Sequence, residues 1–158
     1  MRVEYINPFV ESAYNVLTEV LHGEVKRGEL YLKSTSMPVL GVAAIIGLAG
    51  DVEGRVLFDM ERDTAIQIAS TMLQDMDMDP VSELDDMGRA TITELANMIT
   101  GQAVTKLHKL GFTFDVTPPA IFTGENMEIS NSNVEALIVP MELSQGKVEI
   151  NVAVRERV

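Results

Sequence analysis

Apolar and polar positions change period several times along this chain, and the changes divide it into elements. Phe9, Ala13, Val16, Leu17 and Val20 recur at helical spacing as far as Gly23, and Asn7-Pro8 ahead of them read as an N-cap with proline at the first helical position. Between Glu24 and Met60 the period is two. Gly28 to Ser34 alternates, Val39 to Gly50 is apolar enough to be buried on both faces, and Val52 to Met60 alternates again beyond a Gly50-Asp51 turn. Helical spacing returns from Glu61 to Met76 through Ala65, Ile68, Ala69, Met72 and Leu73, and Asp77 to Pro80 breaks it. A long helix is predicted from about Val81, with Ser82 and Glu83 at its start, to Leu110, closed by Gly111. Strand-like segments follow around Phe112 to Val116, Ala120 to Thr123, Met127 to Ser130, Val134 to Leu143 and Lys147 to Glu156.

The two halves echo one another: a helix, an irregular strand, an apolar strand, a glycine turn, then a strand that opens glycine-basic-valine. Gly54-Arg55-Val56-Leu57-Phe58 matches Gly146-Lys147-Val148-Glu149-Ile150, which suggests a duplicated helix-plus-strands unit. The expected fold is α/β in the α+β sense: one domain over 1–158, a pseudo-twofold mixed or antiparallel sheet, and long helices packed on it. A chain of 158 residues suits a single core without staples.

Within the long helix, Thr93-Glu94-Leu95-Ala96-Asn97-Met98-Ile99-Thr100-Gly101 puts a carboxylate and a carboxamide one turn apart on one face, with Ala90 before them and Gly101 after. Ile92, Ala96, Ile99, Ala103 and Leu110 form the apolar stripe opposite, so Glu94 and Asn97 are expected to face solvent. Asparagine competes for backbone hydrogen bonds inside a helix, and glycine costs about 1 kcal/mol against alanine there. Helix stability alone does not explain either residue.

Composition removes several classes of function. Without cysteine there is no disulfide framework, thiolate zinc site or thiol nucleophile. A net charge of -12 with no cluster of Lys and Arg argues against nucleic acid and points to a protein partner. The longest apolar run, Val39 to Gly50, falls short of the ~20 residues of a membrane span, and Met1 to Pro8 lacks a secretory core, so a cytoplasmic protein without a membrane anchor is expected. Asp75-Met76-Asp77-Met78-Asp79 alternates like a calcium loop, but Pro80 stands where that loop needs glycine, and the segment reads as a solvated linker. His22 and His108 have no catalytic or metal spacing around them, and no metal site is assigned. The methionines read mainly as core fillers, with Met87, Met98 and Thr105 near the helix face in question.

Glu94-Leu95-Ala96-Asn97-Met98 with Gly101, the acidic Ser82-Glu83-Leu84-Asp85-Asp86, Asp115-Val116-Thr117-Pro118-Pro119 and the order of elements together resemble the CheC/CheX family of chemotaxis phosphatases, over essentially the full length. CheC-like members usually carry two Glu-x-x-Asn motifs and CheX-like members one. Here Glu11-Ser12-Ala13-Tyr14-Asn15 departs from the motif, so the resemblance implies a CheX-like chain with one active site. It further implies a homodimer and a phosphorylated CheY-like receiver domain as substrate. Magnesium would come from that substrate, and the chain would hold no cofactor of its own. Asn97 would orient the attacking water and Glu94 would pair with the receiver's lysine, while Ala90, Met98 and Gly101 would meet the partner. Two alternatives remain: a CheX-like adaptor or switch module that binds a receiver domain without turnover, and, less specified, a small-molecule binder.

Overall fold

The computed structural model describes residues 3–33, 37–129 and 135–157. The expected strand ends at Ser34, Ser130 and Val134 lie outside those residues. The elements are α1 (Val3–Leu21), β1 (Lys26–Arg27), β2 (Tyr31–Lys33), β3 (Met37–Pro38), β4 (Val42–Gly50), β5 (Val52–Met60), α2 (Arg62–Asp75), α3 (Asp86–Lys109), β6 (Phe114–Val116), β7 (Ala120–Thr123), β8 (Glu128–Ile129), β9 (Ala136–Leu143) and β10 (Gly146–Glu156). The main sheet runs β1-β9-β10-β5-β4-β6, with β2 also on β9 and β7 also on β4, and β3 pairs with β8 separately. All the described pairings are antiparallel.

The repeat read from the sequence is a spatial one. The β4-β5 and β9-β10 hairpins meet where β5 pairs with β10, and Phe58 lies opposite Ile150, its counterpart in the two matched pentapeptides. Alternation along these strands sends Val56, Phe58 and Met60 from β5, and Val148, Ile150 and Val152 from β10, into the core under the helices. Residues between them face the other way. On that side Leu57, Asp59, Ile138, Glu149, Asn151 and Ala153 are buried too.

Three sequence expectations need correction. The first helix begins at Val3, with Pro8 inside it, and Asn7 is not its N-cap. Burial of Tyr5 and Ile6, with Tyr5 edge-on to Phe112 at 5.0 Å, outweighs the backbone hydrogen bond that Pro8 cannot donate. The long helix starts at Asp86, because Asp85 is its N-cap and accepts from the Gly88 N–H at 2.8 Å. Ser70 meanwhile holds Val81 outside the helix, accepting from its N–H at 3.1 Å and donating to its carbonyl at 3.0 Å. Third, β4 is buried on both faces only near its start: Val42, Ala43 and Ala44 are covered, whereas Ala49 is exposed. The C-terminal stop of α3 is as expected, with Gly111 at φ 97° and the Phe112 N–H returning to the Leu107 carbonyl at 3.1 Å.

Candidate functional site

Helix α3 packs on α1, α2 and β4, and its buried positions form a stripe of Thr91, Ile92, Leu95, Ala96, Ile99, Ala103 and Leu107. Leu110, assigned to that stripe from its spacing, is instead exposed at the C-cap, and Leu107 takes its place. The remaining face is open. Ala90, Glu94, Asn97 and Gly101 are all exposed along it, and Met98 is half-buried at its border.

The polar side chains on this face differ in how they are satisfied. Thr93 donates to the Arg89 carbonyl at 2.9 Å and Thr105 to the Gly101 carbonyl at 3.0 Å, so both turn back onto the helix. Among the described residues, neither Glu94 nor Asn97 has a side-chain hydrogen bond or ion pair. At Gly101 an added Cβ would meet nothing within 4 Å. No internal contact therefore requires glycine there, and its use leaves the helix backbone open to an outside surface. The pair has free donor and acceptor capacity beside a stretch that another molecule can approach closely.

The first helix does not reproduce this arrangement. Glu11 is exposed as Glu94 is, but Lys106 of α3 holds it at 3.2 Å and the residue one turn on is Tyr14, 45% exposed. A bulky phenol and an engaged carboxylate replace the free carboxamide and carboxylate.

Beside Glu94 the surface falls into a groove of about 600 Å³, walled by the ends of α1 and α2 and the first half of α3. Ala90, Glu94 and Met98 line it, whereas Asn97 and Gly101 lie further along α3 and do not. Pattern reading missed this groove. The segment from Asp75 to Pro80 is exposed, as expected of a solvated linker, yet Met76 and Met78 in it also line the groove, and the Asp75 carboxylate pairs with His22 at the end of α1 at 2.5 Å. The available signal was the methionine density: Met72, Met76, Met78, Met87 and Met98, five of the ten in the chain, line this one groove.

A second polar cluster lies on the sheet face away from the helices. Asp59 and Glu149 are cross-strand partners, and Tyr31 donates its hydroxyl proton to Glu149. Burial pushes the Asp59 carboxyl up to about 7, with Glu149 adding to the rise and the Leu40 N–H opposing it. Burial and Glu149 likewise raise the Tyr31 phenol. Among the described residues, no group of three or more His, Asp or Glu side chains is arranged to hold a metal ion, and no helix is long and apolar enough to cross a membrane.

The model of the chemotaxis phosphatase CheX matches residues 42–142, which run from the first residue of β4 almost to the end of β9 and include all of α3. This chain belongs to the CheX family. The CheY-P phosphatase CheX of Thermotoga maritima is 26% identical over 98% of both chains. A chain of the CheX-CheY-BeF3-Mg2+ complex of Borrelia burgdorferi is 45% identical, covers 98% of this chain and 100% of its own, and has a TM-score of 0.82. A CheC-like superfamily protein of Shewanella sp. PV-4 gives 28% identity and a TM-score of 0.86, covering 98% of this chain and 99% of its own. Membership thus rests on the helix that carries Glu94 and Asn97 as well as on the sheet behind it.

Proposed function

We propose that this chain hydrolyses the aspartyl phosphate of a CheY-like receiver domain, with Asn97 orienting the attacking water and Glu94 docking on the receiver's lysine. The observation that carries the reading is the unpartnered pair itself, exposed on a helix face where Thr93 and Thr105 instead turn back onto the backbone. The named activity of the Thermotoga relative and the CheY-bound state of the Borrelia one support it.

The chemistry needs few groups. A carboxamide accepts a hydrogen bond from water through its oxygen and donates through its nitrogen to a phosphoryl oxygen, so Asn97 fixes the angle of attack without changing its own protonation. Glu94, one turn away, pairs with a receiver cation and sets the register of the docked helix. Ala90, Met98 and Gly101 let the receiver surface come close. Magnesium, which neutralises charge on the phosphoryl group, belongs in this reading to the receiver, and the setting is the cytoplasm. Orientation worth about 3 kcal/mol corresponds to roughly a hundredfold in rate. We extend the proposal to a homodimer, for which the exposed Leu30 and Leu32 beside β9 offer apolar surface to a second copy.

The test is the decay of a phosphorylated CheY-like domain in magnesium, alone and with the wild-type chain, Asn97→Ala or Glu94→Ala. Expected are accelerated decay with wild type, a loss of roughly a hundredfold in kcat for Asn97→Ala with binding retained, and weakened binding for Glu94→Ala. Binding without acceleration by the wild type would replace this reading with an adaptor.

A further inference from the structure

The methionine groove has no role in the water-positioning chemistry, yet it opens directly beside Glu94. Its apolar lining is formed chiefly by Met72, Met76, Met78, Met87 and Met98. Three of these, Met76, Met78 and Met87, remain substantially exposed, and contiguous apolar surface of this kind marks a contact for another molecule. Methionine suits such a surface because its unbranched, polarisable side chain adapts to what enters. Acidic groups rim the groove: Glu19 and Asp75 on one side and Glu94 on the other.

We propose that this groove is the second docking contact for the substrate receiver domain, taking an apolar side chain from a receiver segment whose neighbours are lysine or arginine. The inference rests on the phosphatase reading above and gives it a recognition element. Two features select this occupant. Glu94 belongs both to the groove rim and to the proposed catalytic face, so a receiver bound at Glu94 already lies over the opening. Glu19 and Glu94, the lining carboxylates not paired with His22, sit in a chain of net charge -12 and favour a basic surround on whatever fills the groove. The His22-Asp75 contact joins the ends of α1 and α2 at one wall of the groove.

The experiment uses the full chain and the CheY of the Borrelia complex loaded with BeF3 and Mg2+, with 13C-methyl methionine spectra of the free and mixed proteins. Met76, Met78 and Met87 methyl signals are expected to shift on addition, while those of buried Met60 and Met141 stay still. Met76→Gln with Met78→Gln keeps side-chain length on exposed positions and should leave the melting temperature in place. Its expected effect is a KM for the phosphorylated receiver about tenfold higher with kcat retained. Unshifted groove methyls together with an unchanged KM would overturn the groove contact even if Asn97→Ala abolishes turnover, which would leave the phosphatase reading intact. Conversely, shifted groove methyls with no accelerated decay by the wild type would sink the phosphatase reading and leave the groove contact standing. Groove signals that depend on the concentration of the chain alone would assign the groove to a second copy and likewise overturn the receiver contact.

Discussion

Gly101 shows what a single position can reveal. Nothing lies within 4 Å of an added Cβ, so Gly101→Ala should stabilise the isolated chain by about 1 kcal/mol, raising its melting temperature by a few degrees. The same methyl would stand between α3 and an approaching partner, so receiver binding should weaken as stability rises, and calorimetry paired with a binding titration reads both. Asp59 makes a different prediction. Its carboxyl is raised from 3.8 to about 7 in the folded chain. Between those values the folded state retains a proton that the unfolded state has released. The contribution of Asp59 is thus most favourable below pH 4 and declines as pH rises to 7. Asp59→Asn keeps an oxygen to accept from the Leu40 N–H at 2.9 Å, and should flatten that part of the pH profile in urea unfolding measurements. An unchanged slope would show that the proton is carried elsewhere.

Among the elements, α3 carries the site and its start is the place where pattern reading strayed. Residues 81–85 are acidic and helix-compatible, yet Ser70 clasps both backbone groups of Val81 and Asp85 supplies the cap. Replacing Asp85 by alanine should cost about 1 kcal/mol while Asp85→Asn largely retains the cap, a difference visible in thermal melts. The exposed face of α3 was legible because 3.6-residue periodicity separates Glu94 and Asn97 from Ile92, Ala96 and Ile99 regardless of what packs behind them. Leu110 was misassigned for the opposite reason. Periodicity runs on past the last turn, but the chain leaves the core there and Leu107 is the last stripe residue it buries. The same limit applies to α1, where proline chemistry pointed to a start at Asn7 and the burial of Tyr5 and Ile6 moved it to Val3.

At the level of the whole molecule, Leu30 and Leu32 remain exposed on the strand segment outside β9, and the homodimer proposal predicts that a second copy covers them. Sedimentation should then give a dimer for the wild type and a monomer for Leu32→Glu; a wild-type monomer at high concentration would remove the dimer from the reading. The amino-acid order alone determined the type and order of the main elements, the duplication and the polar face of α3, because these follow from local periodicity and from a repeat along the chain. It also contained the Glu94-Asn97 spacing, since a helix converts three residues into one turn without outside help. Tertiary structure decided which groups lack partners, what lies beside them, and where burial outweighs a local signal. The methionine groove brings together Met72 and Met98, the His22-Asp75 contact spans 53 residues, and the Asp59 carboxyl is raised first by burial and further by Glu149 from the other half of the chain. Such features arise from packing between distant segments, and no period along the sequence encodes which side chains meet across them.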